Sequence, residues 1–129
     1  MATVSSEQLA QLKTQLSDYP PALAALAEIE ACEGDLEDAA MSLAIQAGQV
    51  PQEDNAEWLA DLAKRCRALL CAEIPRQNLQ VGAIDKVILT VANADLVPAI
   101  LATPVVLFVQ AQGLTPFCAP LDQAMNREE

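Results

Sequence analysis

Residues 54–73 read DNAEWLADLAKRCRALLCAE, and the fold class turns on their spacing. At 100° per residue, Trp58, Leu59, Leu62, Ala63, Cys66, Leu69 and Leu70 fall within an arc of about 140°. That is a core-facing helical stripe, broader than a coiled-coil seam. Asp54 suits the N-cap, with Glu57 three residues on. Asp61 stands four residues before Arg65, the favourable order for a helix ion pair. Lys64, Arg67 and Cys71 share the opposite face, and Pro75 predicts the stop. The stretch carries the chain's single Trp, two of its four Cys and its one basic cluster. It is expected to be the central helix, spanning about 54–73, around which the others pack.

The composition supports a helical reading of the rest. The chain has 129 residues, enough for one domain with its own core. It is 53 % hydrophobic, rich in Ala and Leu, and only 3 % aromatic. Net charge is −11, which opposes binding to nucleic acid or to anionic membrane, since phosphate contacts need Lys and Arg. The start, MATVSSEQLAQLK, lacks a basic segment followed by an apolar run, so no secretory leader is expected. These features predict a cytoplasmic protein with reduced thiols.

Upstream, Ser5 and Gln8 form a capping-box pattern, followed by Leu9, Leu12 and Leu16 on one face. The first helix stops before Pro20-Pro21. Pro21 suits the start of a second helix to about Glu33, with Leu23, Leu26 and Ile29 as its apolar face and Gly34 as its C-terminal cap. Asp35 opens a third helix, in which Leu36, Ala39, Ala40, Leu43, Ala44 and Ala47 repeat at helical spacing to Gly48. Met41 and Ile45 lie one turn apart on another face. They mark either a central helix touched on two sides or an apolar surface open to a partner. A loop with Pro51 follows. The stretch IEACEGDLEDAAMSLA, residues 29–44, resembles the Gly-Asp helix junction of ubiquitin-associated domains. It lacks their first-turn Gly-Phe loop, and capping alone also yields a glycine stop followed by an aspartate, so no binding residues carry over.

Downstream, only Asp85, Lys86 and Asp95 are charged between Asn78 and Leu121. The pattern predicts a helix over about 82–92, a second after Asn93 or Asp95 with Pro98 in its first turn, and a third from Thr103-Pro104 to Gly113. Val105–Val109 suits a strand by propensity, but its Pro and Gly punctuation suits a helix. Residues 114–121 read as a packed tail, and 122–129 as a frayed end. The fold class expected is all-α: a single-domain bundle of six to seven short helices in orthogonal or mixed packing. Acidic helices over about 5–48 wrap apolar ones over about 79–121.

Much chemistry is excluded. The chain has no His, so it lacks the usual general base and the usual nitrogen metal ligand. A zinc site would need all of Cys32, Cys66, Cys71 and Cys118, and no CxxC pair supports one. No phosphate loop or EF-hand pattern occurs. No cofactor, metal or catalytic residue is expected, and the chain is not expected to be an enzyme. Cys71 is a redox candidate, because Lys64 and Arg67 favour its thiolate while its place near a helix C-terminus opposes it.

What remains is charge layout. Glu28, Glu30, Glu33, Asp35, Glu37 and Asp38 put six charges into eleven residues. Lys64, Arg65, Arg67 and Arg76 are four of only seven basic residues. As functional surfaces, the acidic cluster of one copy, or of a partner, docks on the basic cluster of another. As ordinary surfaces, they complement helix ends and hold solvent. The expected function is a non-enzymatic protein–protein interaction or adaptor domain, self-associating or binding another protein. Small helical adaptors of the death-fold type use the same device, an analogy of architecture alone. The alternative is a small-ligand module with an apolar pocket among the C-terminal helices and Lys64, Arg67 or Arg76 meeting an acidic head group.

Overall fold

The computed structural model describes residues 3–49 and 55–127 of the chain. Pro51 and the expected cap Asp54 lie outside them, as do Glu128 and Glu129. Among the described residues there are nine α-helices and no strand. They are α1 (Ser6–Gln15), α2 (Pro20–Ala31), α3 (Leu36–Gln46), α4 (Asn55–Arg65), α5 (Arg67–Leu70), α6 (Glu73–Gln80), α7 (Ile84–Asn93), α8 (Ala99–Gln112) and α9 (Leu114–Arg127).

The N-terminal half follows its capping chemistry. Ser5 Oγ accepts from the Gln8 amide at the start of α1, and Asp35 Oδ1 accepts from the Asp38 amide at the start of α3. Pro20 and Pro21 both occupy the first turn of α2, where a missing N–H costs nothing. The α2 end differs in detail from expectation. Glu33, at φ 59°, takes the left-handed position, and Gly34 follows at φ 86°. The Gly34 amide donates to Ile29 O and the Glu33 amide to Glu30 O, the paired bonds of a Schellman ending.

The centre of the molecule is α8, which corrects the expectation that residues 54–73 would hold that place. α8 packs against α7, α2, α3, α4 and α9. Leu101 through Leu107, and Val109, are all buried. A helix apolar on every side has no solvent face to present, so its neighbours must enclose it. Pro104 lies within α8 rather than at its start. Residues 99–112 form one helix where two were expected, and Val105–Val109 is helical.

The 54–73 helix is broken. Cys66 leaves helical geometry at φ −97°, ψ 4°, and α5 resumes for only four residues. A straight helix would have carried Arg67 and Cys71 to the face opposite the core. The break turns Cys71 inward, where it is buried. Pro75 does not end a helix here. It sits buried in the first turn of α6, a position proline tolerates. The tail expected over 114–121, and the fraying expected beyond it, are replaced by α9, helical to Arg127.

Candidate interaction site

The acidic cluster divides by structural role. Asp35 caps α3, and Glu37, in its first turn, is buried. Glu28 is half-buried and accepts a weak bond from Cys32 Sγ at 3.8 Å. Glu30 pairs with Lys13 of α1, both side chains remaining nearly half exposed. Glu33 is exposed on the Schellman turn, and Asp38 on α3. The cluster therefore divides by place: Glu28, Asp35 and Asp38 lie about Cys32, and Glu30 and Glu33 form another pair.

They converge on a groove of about 420 Å³, lined by Val4, Ser5, Ser6, Leu9, Glu30, Glu33 and Gly34. Its wall is built by an extended N-terminal segment. Thr3 bridges Asp35 in antiparallel fashion, and the Val4 amide donates to Gly34 O at 3.1 Å. Gly34 is what permits the approach, since a Cβ there would lie 2.6 Å from Val4 O. A polar cleft of about 310 Å³ lies on another side of α1, lined by Ser5, Glu7, Gln8, Gln11, Gln15, Gly82 and Gln110 among others. The sequence marked Glu30 and Glu33 as site candidates but not Val4 or Ser6, and it marked Ser5 and Leu9 only as a helix cap and a core face. Their contribution depends on the bridge to residue 35, which no local pattern announces.

The basic cluster is dispersed. Lys64 and Arg65 are exposed near the end of α4, with Lys64 Nζ 3.7 Å from Asp61. Arg67 is half-buried, its guanidinium 4.9 Å from the centroid of the Phe117 ring on α9. Arg76 makes two parallel bonds to Asp122, at 2.9 and 3.0 Å, the planar geometry for which guanidinium suits carboxylate. The pair holds the Asp122 carboxyl below the ordinary aspartate range, chiefly through this hydrogen bonding. Arg67 and Arg76 thus fasten α9 to α5 and α6, leaving Lys64 and Arg65 outward.

Cys71 is joined to Cys118 in a disulfide, which overturns both the reduced-thiol expectation and the reading of Cys71 as a free thiolate. Phe117, Cys118, Leu121 and Asp122 are spaced as one helical stripe, but Pro116 and Pro120 hid that helix in the sequence. Cys32 and Cys66 are free. Burial, then the Glu28, Asp38 and Asp35 charges, push the Cys32 thiol up; burial pushes the Cys66 thiol up. Neither is set up as a nucleophile. Among the described residues no three Cys, Asp or Glu side chains group as a metal site.

Of the apolar pair on α3, Met41 is half-buried and Ile45 is 66 % exposed. Ile74 on α6 and Val81, the residue that caps its C-terminal end, are more exposed still, and the sequence did not single them out. One apolar cavity among the C-terminal helices, of about 130 Å³, is lined by Leu79, Gln80, Val109, Gln110 and Leu114. Ligand pockets run from about 300 Å³ upward. Among the described residues no single helix is long and apolar enough to cross a membrane. Comparison of the chain with protein-family models, with curated proteins and with solved structures finds no match.

Proposed function

We propose that the chain is a non-enzymatic helical interaction module that receives a basic segment of a partner protein beside α1. One observation carries this reading: the groove at the end of α2 sets Glu30 and Glu33 beside apolar Val4 and Leu9. A lysine or arginine side chain has the matching form, an apolar stem with a cationic head. The Lys13–Glu30 pair is exposed, and such pairs are worth only about 0–1 kcal/mol, so a partner's cation can replace Lys13 at small cost. The net charge of −11 would steer a basic partner inward and repel acidic ones. Fluorescence anisotropy with a labelled Lys/Arg-rich peptide tests this. Glu30→Gln with Glu33→Gln is expected to weaken binding by about tenfold, within the range of desolvated interfacial charges. Equal binding by the double variant would overturn the reading.

Self-association is a second reading, favoured by the outward placing of Lys64 and Arg65. There the α4 end of one copy supplies the cations for the groove of another. Light scattering at low and high salt checks it. The expected result is an oligomer that dissociates in salt and is abolished by Lys64→Glu with Arg65→Glu. A monomer at both salts removes this reading and leaves the hetero-partner one.

A further inference from the structure

We propose that the Cys71–Cys118 bridge is a reducible latch holding α9 against α5 and α6, and that opening it frees α9 to swing about Gly113. Three contacts converge on one stretch of α9. The disulfide joins Cys118 to Cys71, Phe117 lies under the Arg67 guanidinium, and Asp122 takes both bonds from Arg76. Only the first is covalent. The Arg76–Asp122 pair is partly exposed, with side chains 28 % and 39 % accessible, and an arginine over a ring is a weak tie. The principal contacts of α9 are with α8, α5 and α6, whereas α2, α3, α4 and α7 pack on α8 from elsewhere. Release of α9 uncovers Phe117 and Cys118, which belong to the buried core, but leaves the contacts of α2, α3, α4 and α7 with α8 in place.

The connection to α8 suits a hinge. α8 and α9 meet at 89° across Gly113, whose φ of 103° is open to glycine and strained for other residues. The 130 Å³ apolar cavity lined by Leu79, Val109 and Leu114 lies where α6, α8 and α9 meet, so release of α9 opens it. The chemistry is ordinary exchange with a dithiol. Cys71 is 9 % exposed and Cys118 is fully buried, so the dithiol's thiolate attacks the Cys71 sulfur. The protein S–S bond breaks, a mixed disulfide forms on Cys71, and Cys118 leaves and takes a proton. The dithiol's second sulfur then closes a ring, and Cys71 leaves and takes the second proton. The protein gains two electrons and two protons, and the dithiol ends as a cyclic disulfide.

Hydrogen exchange of the full chain, with and without dithiothreitol, tests the latch. On reduction, amides of 114–124 are expected to lose at least about tenfold more protection than those of α2 and α3, the signature of local rather than global opening. Arg76→Gln is expected to change little in the oxidised protein and to add to the loss in the reduced one. Cys71→Ser with Cys118→Ser is expected to match the reduced wild type. Unchanged α9 protection on reduction would overturn the latch. So would equal loss in all helices, in the reduced protein or in the double variant, because the bridge would then be a staple of the whole fold. Four free thiols by mass in protein purified without reductant would overturn it as well.

Discussion

Gly34 carries more of the candidate site than its size suggests. It accepts from Val4, holds φ at 86°, and would place a Cβ 2.6 Å from Val4 O. Backbone oxygen cannot give way as a side-chain tip can. Gly34→Ala is expected to destabilise by about 2 kcal/mol, from left-handed geometry plus the clash, and to weaken basic-peptide binding by displacing Val4. Urea unfolding checks the first part, and a loss under about 0.5 kcal/mol would contradict it. Asp122 gives a pH prediction. Its carboxyl titrates below the ordinary range because Arg76 bonds the charged form. The stabilisation is therefore fully present above the ordinary aspartate pKa and is lost as pH falls through the depressed value. Carboxyl-carbon NMR is expected to show the low titration in wild type and its return to the ordinary range in Arg76→Gln. Identical midpoints would remove the pair as its cause.

At the scale of elements, the N-terminal helices were legible because their caps are local. Ser5, Asp35, Pro20 and Pro21 act on residues within one turn of themselves. The 54–73 stretch misled for the opposite reason. Its stripe is real, since Leu59, Leu62, Ala63, Cys66 and Leu70 are all buried, but periodicity cannot foresee a break made to bring Arg67 and Cys71 to α9. α9 itself was obscured by its prolines, and the partners Phe117, Cys118 and Asp122 went unseen with it. α8 was divided in two by the ordinary meaning of Thr103-Pro104. Its enclosure on all sides overrides the cost of an internal proline. That enclosure also leaves Thr103 Oγ1 buried with no hydrogen-bond partner. Thr103→Val keeps the shape and removes the stranded hydroxyl, so a gain of up to about 1–2 kcal/mol is expected. A thermal scan showing a lower Tm would mean that the hydroxyl is satisfied.

For the whole molecule, charge asymmetry decides more than apolar patches do. Eighteen acidic residues face seven basic ones, and among the described residues Lys13, Lys64, Arg67 and Arg76 are engaged by Glu30, Asp61, Phe117 and Asp122. The sequence showed this excess but not its distribution, because which cations are spent internally depends on contacts between residues far apart in the chain. General attraction and a defined groove make different predictions. Removing any two carboxylates changes the net charge by the same amount, whereas Glu30 and Glu33 are the charged residues that line the groove. The decisive measurement is the affinity of a Lys/Arg-rich peptide for wild type, for Glu30→Gln with Glu33→Gln, and for the charge-matched Asp85→Asn with Asp95→Asn. Saturable binding that the groove variant weakens by about tenfold and the charge-matched variant keeps is the predicted result. Equal weakening in both, or none in either, would contradict a docking site at the end of α2.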